Sequence, residues 1–297
     1  MKNFLILGVV VSSVALVVGA VMYTESPNEG KDVEILKTDE PKLTHVHGFA
    51  VDVANPERLL IATHHGLMQL ENNVLSQIGT VSDDLMGFTP HPTDPSVFYS
   101  SGHGARGGNL GFQKSTDGGT TWQKVSDGIN GPVDFHSMTV SRVNPDLVYG
   151  HFGGLQQSTD GGKSWRVAQG QIQPYSLSTD PKKESVVYGA TANGVSVSED
   201  GGDTWKSYSA GLEQGAVSVF AIDPEETYAL TFSQTLGGMG KTTDNGVTWT
   251  KINEGFGGSP VFFIAYSKTQ SGIVYAVTQS NSIYKSTDAG STWTMLR

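Results

Sequence analysis

Short apolar runs recur along most of the chain, and polar turns separate them. Six of these runs share a register, and most of them follow a turn that contains Pro: 59–62, 97–100, 147–150, 186–189, 227–230 and 273–276. Runs of about four apolar residues bounded by turn residues favour β-strands over helices. We predict that each run is the second strand of a repeat of four strands.

An octet with a constant pattern follows each of the last five runs. It has Ser or Thr at its first position, Asp at its third, Gly at its fifth and Trp at its eighth, and the five copies start at 115, 158, 198, 242 and 286. The Asp side chain can hydrogen-bond its own backbone, and the residues after it suit a tight turn. The pattern predicts a hairpin between the third and fourth strands, with the Trp ring buried between neighbouring sheets. The structural residues are Asp117, Trp122, Asp160, Trp165, Asp200, Trp205, Asp244, Trp249, Asp288 and Trp293.

This octet resembles the Asp box, or BNR repeat, of sialidase-like, sortilin-like and photosystem II assembly-factor-like propellers. The resemblance implies that the octet joins the third and fourth strands of a propeller blade. It also implies that the octets lie on the face opposite the binding site, so that their Asp and Trp residues are structural.

The repeats predict an all-β fold, a six-bladed β-propeller over residues 43–297. A period near forty residues with strand-like flanks is typical of radially repeated architectures, and four strands a repeat give six blades. The first repeat has no octet: its third strand is expected at 66–70, and a shorter turn at 71–73 replaces the octet. The last fourth strand is expected at 292–296. We expect the ring to close by packing, unless residues 33–37 pair onto an outer edge.

An apolar segment at 4–22 opens the chain. Its 19 residues would measure about 28 Å as a helix, enough to cross a membrane. We predict that residues 1–23 form a signal peptide or a membrane anchor, with the length favouring the anchor, and that residues 24–42 form a polar linker. The propeller would then be extracytoplasmic, either anchored to the cell membrane or secreted.

Composition narrows the classes of partner. The formal net charge of −10 argues against nucleic acid, which needs a basic surface. The absence of Cys excludes disulfides, thiol chemistry and a lipoprotein attachment site. We expect a monomer.

The position of a residue relative to the second strand of its repeat identifies the residues at the end of the propeller opposite the octets. Counting back 13 residues from the Tyr in four of the second strands gives Met86, His136, Tyr175 and Phe262, and His47 holds this place in the first repeat. The loops between second and third strands and before first strands also lie at this end, and they contain His64, Phe152, Asp83, Asp84, Glu213 and Glu254. From the same loops, His65, His103, Arg106, Asp134 and His151 join the five register positions as site candidates. We expect these ten residues to surround the mouth of a central channel and to bind the ligand.

All eight His residues fall between 45 and 151, which suggests a metal site at this mouth. Neutral imidazoles suit Cu or Zn, so a divalent transition metal bound by His47, His103 and His136 is one hypothesis. The alternative is that these imidazoles form hydrogen bonds at the mouth or contact substrate without metal.

Three functions remain open from the sequence. The first is a binding or assembly module for a protein or carbohydrate ligand, the second a glycoside hydrolase, and the third a metal-binding protein. A true sialidase is disfavoured because it needs an arginine cluster, and Arg58 and Arg142 are expected at the octet end, away from Arg106. A different glycosidase would need two carboxylates about 5–9 Å apart. Asp84, Asp134, Glu213 and Glu254 could supply them, and the alternative is that they are ordinary loop acids.

Overall fold

A computed structural model of the chain describes residues 43–253 and 256–297. In this part of the chain, 24 strands form six antiparallel sheets of four consecutive strands. The prediction of a six-bladed propeller with four-stranded blades is confirmed. The predicted leader, the linker and residues 33–37 lie outside the described residues. No helix among the described residues is long and apolar enough to cross a membrane.

The first three blades contain strands β1 to β12. Blade 1 has β1 (Val46–Val51), β2 (Arg58–Thr63), β3 (Gly66–Glu71) and β4 (Val74–Ile78). Blade 2 has β5 (Asp84–Pro90), β6 (Phe98–His103), β7 (Phe112–Ser115) and β8 (Gln123–Ser126). Blade 3 has β9 (Ser137–Val140), β10 (Val148–His151), β11 (Leu155–Ser158) and β12 (Arg166–Val167).

The last three blades contain strands β13 to β24. Blade 4 has β13 (Ser176–Thr179), β14 (Val187–Thr191), β15 (Gly194–Ser198) and β16 (Lys206–Ser207). A 3-10 helix, Ala210–Leu212, precedes blade 5, which has β17 (Val217–Ile222), β18 (Ala229–Ser233), β19 (Gly238–Thr242) and β20 (Thr250–Asn253). Blade 6 has β21 (Val261–Tyr266), β22 (Val274–Thr278), β23 (Ile283–Ser286) and β24 (Thr294–Met295). This last strand is shorter than the predicted 292–296 because Thr292 and Trp293 belong to the octet turn.

The octets form the hairpin turns between third and fourth strands. In the first copy, Ser115 Oγ donates to Asp117 Oδ1 (2.8 Å) and the Gly119 N–H donates to Ser115 Oγ (2.9 Å). Thr121 donates its N–H to Asp117 Oδ1 (2.9 Å) and its hydroxyl to Oδ2 (2.6 Å). The other four octets repeat this network. In each of blades 2 to 6, one carboxylate thus accepts the hydrogen bonds that hold this turn. Blade 1 uses a two-residue turn instead, with Asn72 and Asn73 both at positive φ.

The octets lie at the same end of the propeller as the turns between first and second strands. The Gly118 N–H donates to Ser96 O (2.8 Å), and the Gly161 N–H donates to Asp146 O (3.0 Å). We call this end the octet end, and we call the other end, where second strands lead into third strands, the mouth end.

The hydrophobic core lies between adjacent blades rather than inside any single blade. Trp165 of blade 3, for example, packs against Phe112 of blade 2 and Phe135 at the start of its own blade, with ring centroids 5.2 Å apart in both pairs. The five indoles are half-buried rather than fully buried. Each blade therefore depends on its neighbour for burial.

Side-chain packing closes the ring between blades 6 and 1. Phe49 and Ile61 of blade 1 share a core cluster with Tyr275 and Val277 of blade 6. The Tyr275 hydroxyl also donates to Pro56 O at 2.8 Å. The expected closure by packing is present.

Candidate functional site: the mouth of the central channel

The innermost strands of the six blades surround a central channel of about 1010 Å³. Its wall is mostly apolar, with Phe49, Met138, Val219 and Ile264 among the lining residues. The polar groups that could orient a ligand are concentrated at the mouth end. This combination of an apolar wall with a few converging polar groups is typical of ligand sites.

The carboxylate of Asp84 is the centre of the polar group at the mouth. Asp84 is buried at the start of β5, and its Oδ2 accepts a hydrogen bond from His64 Nδ1. His103 Nε2 lies 3.4 Å from the same oxygen, and His47 Nε2 lies 3.8 Å from Oδ1. Three imidazoles from blades 1 and 2 thus contact one carboxylate.

Strand pairing explains why these residues meet. Asp84 pairs directly with His103 across β5 and β6. In blade 1, Val46 pairs with Thr63, which brings the start of β1 beside His64 in the turn after β2. Since blades 1 and 2 are adjacent in the ring, the two groups face each other at the mouth end.

His47 and His64 form a close pair of imidazoles. Their Nε2 atoms are 3.1 Å apart, and one nitrogen from each of His45, His47 and His64 lies within 4.8 Å of the others. The structure therefore groups His47 with His45 and His64. Of the three histidines predicted as metal ligands, His103 contacts Asp84, whereas His136 pairs with another carboxylate.

A β-bulge directs His47 toward the mouth. The β1–β2 register shifts between Val46 and Gly48, so His47 is the extra residue of the bulge. Phe262 is the extra residue of the corresponding bulge in β21, where the register shifts between Val261 and Phe263. Bulges at the rims of barrels re-aim side chains, as both of these do.

Burial lowers the pKa of His47. The charges of His64, His45 and His136 act in the same direction, while Asp84 opposes them. Because the shift is downward from a starting value near neutrality, His47 is mostly a neutral imidazole at pH 7. A neutral imidazole has a lone pair available for a ligand or an ion.

A second His–Asp pair lies on blade 3. His136 Nε2 is 3.1 Å from Asp134 Oδ2, and His136 also lines the channel. The other oxygen of Asp134 is buried without a hydrogen-bond partner among the described residues. This pair extends the polar side of the mouth from blade 1 to blade 3.

Four of the residues predicted for the mouth lie apart from this cluster. Met86 is buried, because the bulge in β5 between Met86 and Thr89 puts Gly87 and Phe88 at the channel wall instead. His151 Nε2 is enclosed, and burial lowers the pKa of this side chain. His65 and Arg106 are exposed in the loops that follow β2 and β6.

Exposed aromatic side chains also lie at the mouth. Tyr175, Phe152 and Phe262 are 58%, 40% and 39% exposed, and they are the exposed large aromatics of the described residues. Tyr175 and Phe262 line the channel, and Phe152 lies in the turn after β10. The mouth thus has an imidazole side on blades 1 to 3 and exposed aromatics from blades 3, 4 and 6.

The sequence placed His64 and Asp84 in loops at the mouth end but did not group them with His47, and it did not place His45 at the site. His45 and His47 alternate along one segment, and His64 follows the strand that pairs with it. This alternation and the position of His64, combined with the pairing of β1 and β2, would have predicted that the three imidazoles lie together.

The mouth does not have the features of a sialidase site. Arg58 pairs with Asp52 and Arg142 donates to Ile222 O at the octet end, so neither joins Arg106. Asp84 and Asp134 are buried and contact histidines. Asp83, next to Asp84, accepts the N–H of Ala105 through Oδ1 (3.0 Å).

The solved structures that this chain is similar to are β-propellers. No protein-family model and no curated protein matches the chain. Among solved structures, it is similar to a GH74 enzyme of Niastella koreensis (TM-score 0.64, 17% identity, covering 84% of this chain and 45% of that one). It is also similar to the structure of YCF48 bound to D1 peptide (TM-score 0.54, 14% identity, covering 83% and 80%). A third match is to a nidogen/laminin complex (TM-score 0.57, 14% identity, covering 77% and 88%).

The chain spans less than half the length of the GH74 enzyme but most of the length of the YCF48 chain. At identities of 14–17%, these likenesses concern architecture alone. The comparisons therefore show that this chain has the fold of a β-propeller.

Proposed function

We propose that the protein is an extracytoplasmic binding module that holds a polypeptide segment of a partner at the mouth of its channel. The observation that carries this proposal is the distribution of exposed aromatics. Tyr175, Phe152 and Phe262 all lie at the mouth end, beside an apolar channel. Exposed aromatic side chains next to an apolar cavity are typical of the anchor points of protein interfaces.

The polar side of the mouth suits the backbone and polar side chains of such a segment. Imidazoles can donate or accept hydrogen bonds, and His136 and His103 are accessible there. A peptide could therefore place an apolar side chain in the channel and its polar groups against blades 1 to 3.

A glycoside hydrolase fits the mouth less well. Such an enzyme needs a carboxylic acid and a carboxylate on either side of the bond that it cleaves. Asp84 and Asp134 are buried and paired with imidazoles. The solved structure of YCF48 bound to D1 peptide, which this chain matches over most of its length, agrees with a binding role.

We also propose that the chain is an Asp-box propeller exported through its apolar segment at 4–22. The repeated Ser–Asp–Gly network of the octets supports the first part. The length of the segment, with retention as an anchor favoured over cleavage, supports the second.

Site-specific photo-crosslinking in the native host tests the binding role. A photoreactive phenylalanine analogue at position 175 or 262 of the full chain should give the same covalent adduct with one protein. The analogue at Val247, which is 78% exposed in an octet, is the matched control and should give none. Phe262→Ala should reduce the adduct formed from position 175 by at least about tenfold, as expected for a lost aromatic anchor.

Adducts that form equally from positions 175 and 247 would contradict the proposal. So would a stable adduct unaffected by Phe262→Ala. Release of reducing sugar from a glycan by the purified chain, abolished by Asp84→Asn or Asp134→Asn with the fold retained, would favour the hydrolase instead.

A further inference from the structure

We propose that His45, His47 and His64 bind a divalent transition-metal ion of the Zn²⁺ or Cu²⁺ class at the imidazole side of the mouth. Asp84 would orient them from behind without ligating the ion. The site uses none of the exposed aromatics as ligands, so metal binding does not require a protein partner.

The spacing of the nitrogens is close to what a metal requires. At Zn–N distances of about 2.0–2.1 Å, tetrahedral ligand atoms lie about 3.3–3.4 Å apart. The Nε2 atoms of His47 and His64 are 3.1 Å apart, and all three histidines offer a nitrogen within 4.8 Å of the others. A small rotation of the exposed His45 side chain would bring the third nitrogen into range.

The contact between His64 and Asp84 fixes the orientation that a ligand needs. Since Asp84 Oδ2 accepts the Nδ1 proton of His64, the lone pair of His64 is at Nε2, which faces His47. Metal-binding histidines commonly donate their second nitrogen to a carboxylate in this way.

Asp84 also supplies a charge that a cation would balance. The residue is buried, and its Oδ1 has no hydrogen-bond partner among the described residues. A buried carboxylate with an unsatisfied oxygen is costly unless a positive charge lies nearby. An ion held by the three imidazoles would provide that charge.

Irregular backbone conformations position two of the three proposed ligands, His45 and His47. His47 is the extra residue of the β1 bulge, and His45 has a φ of 35°, in the left-handed region. Such conformations cost energy and concentrate at sites where side chains are re-aimed for function. Together they bring two histidines of one short segment to the same point.

Three imidazoles favour Zn²⁺ or Cu²⁺ over hard cations, which prefer oxygen. With three protein ligands, a fourth coordination position remains for water or for a ligand group. His45 and His64 are exposed, so that position would face the solvent at the mouth.

Titration calorimetry of the tag-free full chain with ZnCl₂ and CuCl₂ tests the site. We expect one ion per chain, tighter binding of Cu²⁺ than of Zn²⁺, and nitrogen hyperfine splitting in the Cu²⁺ electron paramagnetic resonance spectrum. His64→Ala and His47→Ala should each weaken binding at least about 100-fold, and Asp84→Asn about 10- to 100-fold.

His65→Ala is the matched control, because His65 is the next residue in the same turn and lies outside the cluster. His65→Ala should bind the metal ion with the same affinity as the parent chain. His91→Ala, at the octet end, should do so too. Thermal unfolding of each variant checks the fold, and the exposed His64 gives a test even if His47→Ala disturbs β1.

Absence of one-to-one binding of either ion would overturn the proposal. Equal losses in His64→Ala and His65→Ala would overturn it as well. Tyr175→Ala separates the two proposals. If this variant still binds the metal ion but the photoreactive analogue at position 262 no longer gives the protein adduct, the metal site and the peptide-binding role succeed or fail separately.

Discussion

At the scale of single residues, the fourth position of the octet turn shows how backbone conformation limits the sequence. This position has positive φ in every octet, and it is occupied by Gly118, Gly161, Gly201, Asn245 and Ala289. Gly and Asn adopt this conformation readily, whereas Ala does so at a cost. Blade 6 therefore carries a local strain that the other blades avoid.

Ala289→Gly should raise the free energy of unfolding by about 0.5 kcal/mol. The left-handed conformation costs about 1–2 kcal/mol for a residue with a Cβ, and the greater flexibility of unfolded Gly offsets part of the gain. Gly118→Ala is the reciprocal control, since a Cβ there would meet nothing within 4 Å. It should lower stability by about 1 kcal/mol. Urea unfolding would measure both, and a loss of stability in Ala289→Gly would contradict the argument.

Trp165→Ala should lower the free energy of unfolding by about 3 kcal/mol, the lower end of the range for a large aromatic, because the ring is half-buried. The indole packs between Phe112 and Phe135, and its Nε1–H donates to Ser126 Oγ (2.8 Å) and Gly162 O (3.0 Å). Trp165→Phe keeps most of the packing and should lose about 1 kcal/mol. Denaturant unfolding would measure both variants, and equal losses in the two would mean that packing between blades contributes little.

Individual side-chain contacts were the part of the site least predictable from sequence. The count of 13 residues from each Tyr placed His47, His136, Tyr175 and Phe262 at the channel, where the structure has them. It failed at Met86 because a bulge at Gly87, which has a φ of 58°, shifts the β5 register. An isolated Gly within a strand is a signal of such a bulge, and the count did not use it. The grouping of His45 and His64 with Asp84 depends on how two blades face each other, which the sequence of one blade does not contain.

At the scale of secondary-structure elements, the octet hairpins should determine the response to acid. Hydrogen bonds from the following Ser or Thr, side chain and then backbone, lower the pKa of Asp160, Asp200, Asp244 and Asp288 to about 2. Asp117 shifts in the same direction. Each carboxylate is thus more acidic in the folded chain than in the unfolded one, where its pKa is about 3.9.

Stability should therefore be fully present above about pH 4 and fall as the pH drops from about 4 to 2, since the unfolded chain binds more protons in this range. Asp200→Asn should make this decline shallower, and Asp200→Asn with Asp244→Asn shallower still. Denaturant unfolding between pH 2 and 6 would measure the slopes. Identical slopes in the parent and the double variant would show that other groups determine the acid response.

The strands and turns themselves were largely predictable. Apolar runs with Pro-containing turns marked the second strands, and the octets marked the hairpins that follow the third strands. Element ends were less accurate: β24 comprises two residues, Thr294 and Met295, because the octet network extends through Thr292. Hydrogen bonding in a turn can thus occupy residues that alternation assigns to a strand.

At the scale of the whole molecule, the apolar segment at 4–22 predicts where the propeller resides. If the segment directs export, protease added to intact, wall-stripped cells should digest the propeller. A cytoplasmic protein in the same cells, as the control, should remain intact until the membrane is lysed. Digestion of the propeller only after lysis would contradict export, and mass spectrometry of the mature N-terminus would distinguish an anchor from a cleaved signal peptide.

The central claim is that a ring built from repeated octet hairpins brings histidines of blades 1 and 2 together at the end opposite those hairpins. Anomalous diffraction at the zinc edge from crystals of the zinc-soaked full chain tests it most directly. We expect six four-stranded blades and one strong anomalous peak about 2.0–2.1 Å from nitrogens of His47 and His64. A peak at the octet end, or a mouth in which His45, His47 and His64 point away from one another, would contradict it.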